Sequence, residues 1–542
     1  MSISYKLSNL FKLIFRTISS KFLIILGIII ASTVALPIIY LVIRSVNSYT
    51  EVLDLLNKAG LFWILFRTFT LVFLVTLISI IVGVSIAWVI TRTDLAGSKI
   101  YSVMVILPLI MPSYIGAMTF LEIFSPRGLL QKVLSPFGVE KLMNLNGLIG
   151  ATIVLVLLTY PYVYLIVRSA LKKMDPSLED AARVMGYGSI RTFRIVTFPL
   201  LRPAVVASGL LVALYTLSDY GAVSMLQYQT FTSVIMLQFE SAIDRNIAYA
   251  LSTVLTLVIV LILVIEGGLL KNRVYYNVTG GVIRKQTLLP LGHWKYVLPC
   301  AILIPVILGV FGPISVLLAW LVQGIANEQN LQQVLEPLKN TVFVSFVAAI
   351  VTGLLALPIS LVTVGTSGFS TKILERVTYL GFGLPGIVVA LSLVFIGINY
   401  IYPVYQTLWL MIFGYVILSL PIAGGAIKSA LLQLSPKTNE AAASLGHSGL
   451  RSFISITFPQ IKSGIFMGSA IVFLVVMKEL PATLILSPNG FDTLATSIWM
   501  SFNDAYLTNV AVGSLVLICA SGVPLILLNI KMSGKDRSSL FI

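Results

Sequence analysis

Apolar runs close to or above the roughly 20 residues needed to cross a hydrocarbon core recur along the whole chain, and twelve can be traced. In the first half they cover about Phe22–Ile43, Thr68–Ile90, Ile100–Glu122, Leu148–Arg168, Pro203–Met225 and Ile247–Leu270. In the second half they cover about Tyr296–Val322, Thr341–Val364, Val377–Ile398, Thr407–Ile427, Ser463–Leu486 and Asn509–Ile530. The polar segments between them are short, so the pattern predicts an all-α polytopic membrane protein of about 12 transmembrane helices and leaves no loop long enough for a second soluble domain. The first run exceeds the apolar core of a normal secretory signal and lacks a small-residue cleavage site, so it is expected to be a retained helix.

The halves repeat each other. A shift of 260 places Pro161, Ser169, Ala170, Leu171, Pro176, Ala181, Ala182, Gly186, Arg191, Phe193, Thr197, Phe198 and Pro199 on identical residues from Pro421 to Pro459 without a gap. Earlier in each half the shift is 273, pairing Thr68 with Thr341, Pro112 with Pro385 and Ala117 with Ala390. The first half therefore carries about 13 extra residues between its third and fourth helices. Six helices separate matching points, an even number, so both copies of each loop fall on one side. The repeats are parallel, related by an axis along the membrane normal, and a substrate pathway is expected at the interface between them.

Composition agrees with the bilayer and charge gives the orientation. The 542 residues are 58% hydrophobic and 10% charged, against roughly 25% charged in a soluble domain, and mean hydropathy is +1.00. A net charge of +16 would suggest nucleic-acid binding in a soluble protein; here the sidedness of the cations matters more than their sum. With the N-terminus in the cytoplasm, 27 of the 36 Lys and Arg fall on the cytoplasmic side and 8 on the other, with Lys478 inside a helix. Both termini are expected in the cytoplasm of an inner-membrane protein. The expected organisation is a cytoplasmic segment over 1–21, a first repeat over 22–273, a cytoplasmic linker over 274–293, a second repeat over 294–530 and a cytoplasmic tail over 531–542. Cys300 and Cys519 lie inside apolar runs with no metal-ligand spacing around them and are expected to be packing residues.

The repeated loop carries the most specific chemistry. Its first copy reads Glu179-Asp180-Ala181-Ala182, three residues, Gly186, nine residues, then Val196-Thr197-Phe198-Pro199. The second reads Glu440-Ala441-Ala442, three residues, Gly446, nine residues, then Ile456-Thr457-Phe458-Pro459. Each predicts a short helix with proline at its first position and glycine just past its end. Leu178, Ala181, Ala182 and Met185 make one apolar stripe, as do Thr438, Ala441, Ala442 and Leu445. The alanines permit close approach to another surface, and the acids suit the positive end of the helix. A plain amphipathic loop resting on lipid headgroups is the alternative. The loop is similar to the cytoplasmic coupling loop of permeases in binding-protein-dependent ATP-binding-cassette importers, from which it departs in Asp180 for Glu, Val196 for Ile, and Phe198 and Phe458 for Leu. That resemblance implies a type I importer permease fold, two copies of a separate ATPase subunit that bind ATP and Mg, and a coupling loop inserted into a cleft on each.

Past each loop an apolar helix is interrupted by charge, at Asp219-Tyr220-Gly221-Ala222 and at Lys478-Glu479-Leu480-Pro481. Asp219 and Glu479 match at the shift of 260. With helix starts near Pro203 and Ser463, each acid sits roughly 24 Å along its helix, in the outer part of a core about 30 Å thick. Intramembrane acids are costly and usually face a protein interior or a wet cavity. Two readings stand. The pair, with Tyr220, lines the pathway and favours a hard cation such as Fe(III), which prefers carboxylate and phenolate oxygens; or Glu479 makes structural contacts and Asp219 anchors a helix end. The segments Ser218–Ser224, Met477–Leu484 and Phe491–Thr496 resemble ferric-iron permeases, over essentially the full chain and its fused two-half layout. Permeases for thiamine, polyamine, sulfate or molybdate share the coupling loop and fit these segments less well. The resemblance implies import of ferric iron from a soluble or lipid-anchored iron-binding protein.

The remaining residues narrow the class. No Gly-rich phosphate loop is present, so ATP hydrolysis needs another subunit and the chain is expected to bind no cofactor. No nucleophile, base and orienting-group constellation supports enzyme chemistry. An ion-gradient secondary transporter is the competing class, against which the paired coupling loops argue. Pro112 and Pro385 are expected to kink the third helix of each half. Glu122 and Glu266 are read as interfacial, and His293 and His447 as solvated loop residues. No metal ligand is assigned, and the expected environment is membrane lipid with no nucleic acid.

Overall fold

The computed structural model describes residues 20–47, 54, 59–126, 128–142, 145–241, 246–270, 288–327, 334–365, 369–434 and 449–533. Most of the expected N-terminal segment, most of the linker and most of the tail lie outside these residues, as do the second coupling loop with Glu440, Ala441, Ala442 and Gly446, and His447. The side chain of Glu266 is likewise outside the described part.

The described residues are mostly helical. In the first half run α1 (Ser20–Asn47), α2 (Ala59–Arg92), α3 (Ser113–Phe124), α4 (Leu148–Lys173), α5 (Ser177–Val184), α6 (Ser189–Ser218), α7 (Gly221–Met225), α8 (Phe231–Ser241) and α9 (Asn246–Leu270). The second half contributes α10 (Trp294–Ala326), α11 (Leu335–Gly365), α12 (Phe369–Gly383), α13 (Gly386–Tyr400), α14 (Leu408–Leu432), α15 (Phe453–Val476), α16 (Pro481–Leu486), α17 (Leu494–Asn503) and α18 (Leu507–Ser533). Among the described residues nine helices are long and apolar enough to cross a membrane, and the pair broken at Pro112 makes a tenth. Two shorter apolar helices, Gly386–Tyr400 and Leu507–Gly522, take the other places of the twelve runs.

Three expectations are corrected here. The third run of each half is broken, where a kink was expected. In the first half the segments Ser98–Ile110 and Ser113–Lys132 meet at 98°, and in the second the run divides between α12 and α13. Pro disfavours helical geometry in the residue before it; Met111 is extended at ψ 121 and Pro112 at ψ 146, while Pro385 has ψ 139. Two extended residues in succession redirect the chain. The fifth runs do not begin near Pro203 and Ser463. α6 starts at Ser189 and α15 at Phe453, and they stop at Ser218 and Val476, so both acids stand in breaks after the helices. The cysteines also differ from expectation: Cys300 and Cys519 are exposed on their helices.

By contacts the chain divides into two compact units, each assembled from three stretches. One combines 1–54, 235–260 and 330–513. There α11, α14 and α15 pack on one another, and α1 lies against α11, α12 and α13. Ile30 and Val34 of α1 share a core with Val344, Ala348, Leu393 and Val394, and Tyr40 stacks on Phe395 at 4.7 Å. Small residues permit close approach: a methyl group at Gly468 would stand 3.1 Å from the Ala423 backbone. The other unit combines 55–234, 261–329 and 514–542. In it α2, α4 and α6 pack together and α10 lies against α3. A Cβ at Gly83 would meet Val163 at 2.6 Å, and the Ser79 and Thr159 hydroxyls share a hydrogen bond of 2.9 Å.

Candidate coupling helix and polar helix breaks

α5 is short and defined at both ends. The Asp175 carboxylate accepts from the Ser177 N–H at 3.0 Å, and Pro176 stands at the N-cap, one place ahead of the position expected. At the other end Gly186 has φ +84. The Tyr187 N–H donates to the Ala182 carbonyl at 3.1 Å and the Gly186 N–H to the Arg183 carbonyl at 2.9 Å. These two bonds form a Schellman closure, which needs the left-handed residue that glycine supplies at least strain. The glycine past the helix end is thus where the repeat pattern places it.

The faces of α5 divide differently from the expected stripe. Glu179 and Ala182 are buried, at 4% and 1% exposure, whereas Leu178, Val184 and Met185 are 49%, 88% and 67% exposed. Ala181 is also exposed. Glu179 faces its own unit. Its two carboxylate oxygens each lie 3.1 Å from Arg92 Nε at the end of α2, and the Thr197 hydroxyl donates to one of them at 2.9 Å. Arg183 lies 3.8 Å from Glu179 and 3.3 Å from Asp180. Sequence reasoning missed Arg92: 87 residues separate the partners, and no spacing rule joins them.

Thr197 belongs to a single π-helical turn, Phe193–Thr197, at the start of α6. The matching turn in the second half is Phe453–Thr457. Two residues on stand Pro199 and Pro459, which have no N–H and whose rings crowd the carbonyl four residues back; widening the turn relieves both problems.

The two polar breaks are built alike. The Asp219 carboxylate accepts from the Ala222 N–H at 2.9 Å, and the Thr232 hydroxyl donates to the Asp219 carbonyl at 2.7 Å. Glu479 accepts from the Ala482 N–H at 3.2 Å, and the Thr483 hydroxyl donates to its carbonyl at 2.6 Å. Each acid therefore sits at the N-terminal end of the short helix that follows, α7 or α16. Each also reaches the break after the matched proline. Ser113, just past Pro112, hydrogen-bonds Asp219, and a methyl group at Gly386, just past Pro385, would collide with the Glu479 carboxylate. Asp219 is buried and Glu479 half-buried, and carboxylates at helix N-termini are satisfied by N–H groups and favoured by the dipole. Tyr220 is buried beside Asp219. A matched threonine holds the start of the next helix in each half: the Thr68 hydroxyl accepts from the Phe231 N–H of α8 at 3.2 Å, and the Thr341 hydroxyl from the Leu494 N–H of α17 at 2.7 Å. Among the described residues no group of three or more His, Cys, Asp or Glu side chains is placed to hold a metal ion.

Glu122 is half-buried near the end of α3, and His293 is exposed just before α10.

Comparison with known proteins gives a family for this architecture. The family described as binding-protein-dependent transport system inner membrane component matches twice, over residues 79–274 and 349–532. A Fe(3+)-transport system permease protein of Haemophilus influenzae is 32% identical over 510 residues, 93% of this chain and 97% of the relative. A ferric transport system permease protein of Actinobacillus pleuropneumoniae is 25% identical over 526 residues, 94% of this chain and 77% of the relative. A probable sulfate transport system permease protein of Marchantia polymorpha is 28% identical over 159 residues, 29% of this chain and 54% of the relative.

Proposed function

The chain belongs to the binding-protein-dependent transport system inner membrane component family, and from that premise we propose that it is the membrane permease of an ATP-driven ferric-iron importer, with both halves in one polypeptide. The observation that carries the reading is the likeness to a ferric permease over 93% of the chain, with the family matched once in each half. It is a multi-pass inner-membrane transport protein, not an enzyme. Two ATPase subunits hydrolyse Mg-ATP on the cytoplasmic side, where both termini lie, and an extracytoplasmic protein delivers the iron.

The exposed face of α5, with Leu178, Ala181, Val184 and Met185, docks on one ATPase subunit, and Gly186 fixes the end of that helix. Glu440, Ala441, Ala442 and Gly446 serve the second ATPase in the same way. Closure of the ATPase pair moves both helices. At the other side of the core Asp219, Tyr220 and Glu479 line the pathway at the helix breaks. Their carboxylate and phenol oxygens suit a hard cation, and because backbone N–H groups already engage the two acids, they guide the ion onward without caging it.

Uptake of radiolabelled iron into proteoliposomes holding the permease, its ATPase and the binding protein tests this proposal. ATP-dependent iron uptake, not competed by sulfate, is the expected result. ATP-dependent uptake of sulfate without iron would transfer the chain to the sulfate branch, and iron uptake driven by an ion gradient without ATPase would remove it from the class.

A further inference from the structure

The residues at the end of α2 form a junction that the coupling reading does not use. Arg92 is 1% exposed, and its Nη1 and Nη2 are buried with no hydrogen-bond partner among the described residues. Its charge is answered by Glu179 through Nε, and Thr197 of the π-turn holds the same carboxylate. One buried acid thus joins α5, α2 and α6. The backbone at this point binds a fourth segment: the Leu289 N–H donates to the Arg92 carbonyl at 2.9 Å, and the Asp94 N–H to the Leu289 carbonyl at 3.1 Å. The Asp94 carboxylate then accepts from the Leu291 N–H at 2.9 Å. The chain entering α10 is therefore fastened to Arg92, the residue that holds the coupling helix, and to Asp94 two places on.

The sequence of the second half supplies an independent observation. The shift of 273, which holds at Thr68 and again at Pro112, places Gly365 opposite Arg92 and Ser367 opposite Asp94. The shift of 260 places Asn439 opposite Glu179. All three charges are absent together, although the acid before the paired alanines, Asp180 in one copy and Glu440 in the other, is kept. A buried charge left without its partner is strongly unfavourable, so loss of both sides at once is how a tie of this kind disappears.

We propose that Glu179, held by Arg92, is a positioning residue that locks the first coupling helix to α2 and, through Asp94, to the chain entering α10, and that the second coupling loop lacks the charged residues from which such a lock is made. The two ATPase subunits then act on unequal levers. Movement imposed on α5 is passed directly to α2 and α10, whereas the sequence of the second loop carries none of the three charges that make this tie. This inference rests on the coupling role proposed above, and its test separates the two.

The importer is reconstituted with its ATPase and binding protein, and stimulation of ATP hydrolysis by iron-loaded binding protein is measured with iron moved per ATP. R92M/E179L removes both charges and strands neither; R92E/E179R reverses the pair. The expected result is assembly with the ATPase and basal hydrolysis near the parent level in both, a loss of about fivefold in stimulation and in iron per ATP for the apolar pair, and recovery of most of that loss in the reversed pair. Parent-level stimulation in R92M/E179L overturns the proposal, as does a reversed pair no better than the apolar one. If R92M/E179L does not assemble, R92Q/E179Q, which also removes both charges and leaves hydrogen-bonding side chains in their place, is read in the same assay, where loss of stimulation supports the proposal and parent-level stimulation overturns it. G186V is the control for the coupling role itself: if it loses stimulation while R92M/E179L does not, only the lock is wrong, and if neither loses it the coupling role falls too.

Discussion

Gly186 and the two break acids are the single residues on which most of the function proposed here depends. No atom would lie within 4 Å of a Cβ added to Gly186, so a side chain there meets no collision and the cost is conformational, about 1–2 kcal/mol for a left-handed non-glycine residue and more when β-branched. Gly186→Val is expected to insert normally and to lose most of the stimulation by loaded binding protein; membrane abundance and ATPase assays on one preparation check this. At Asp219 the structure separates two roles that the sequence leaves merged. Asn caps a helix about as well as Asp, whereas Ala loses about 1 kcal/mol. Asp219→Ala is therefore expected to lower thermal stability, while Asp219→Asn with Glu479→Gln leaves stability near the parent and lowers iron transport about tenfold, the equivalent of about 1.4 kcal/mol. Unchanged transport in the amide pair would make the acids caps alone. The glycine and the acids were legible because repetition at a fixed shift isolates them. Arg92 and Ser113 were not, because their partners come from distant segments that only packing brings together.

The elements were legible wherever hydropathy alone decides them, as in α1, α4 and α14, and were misjudged where a special turn intervenes. α6 begins well before Pro203 because the helix continues through a segment bearing Arg191, Arg194 and Arg202, whose charges hide it from any apolar count. The third runs were legible as apolar but not as broken, since a proline in a long apolar run signals a kink as readily as a redirection. The π-turns lead to an element-level prediction. Replacing Pro199 by Ala restores an N–H, so the turn at Phe193–Thr197 is expected to tighten to α geometry; removal of one extra residue rotates what precedes it by about 100°, which carries Thr197 away from Glu179. Slower amide exchange across 193–197 together with weaker ATPase stimulation is the expected pair of results. Slower exchange with full stimulation would separate the turn from coupling.

For the molecule as a whole, two coupling loops in one chain predict one permease chain for two ATPase subunits, and native mass measurement of the purified complex checks this; two permease chains per ATPase pair would contradict it. The parallel repeat was legible from the fixed shifts and the twelve apolar runs from hydropathy, although among the described residues only nine helices, or ten with the broken pair, are long and apolar enough to span. The interleaving of the chain was not, because hydropathy marks a helix as membrane-spanning without saying what it packs against. Interleaving predicts that a chain cut between residues 271 and 287 yields protease-resistant product only when both pieces are made together, and pulse labelling with limited proteolysis of each piece alone tests it. The same feature sets a schedule for synthesis. α1 finds its partners on α11, α12 and α13, roughly 300 residues later, and at about 5–20 residues per second that is a wait of about 15–60 s. Until they arrive α1 must lie in the lipid with α9 as an earlier partner, through Tyr40 against Tyr249 and the Thr253 hydroxyl on the Leu41 carbonyl, so the nascent chain depends on the insertion machinery, or on lipid itself, to keep that helix from pairing wrongly.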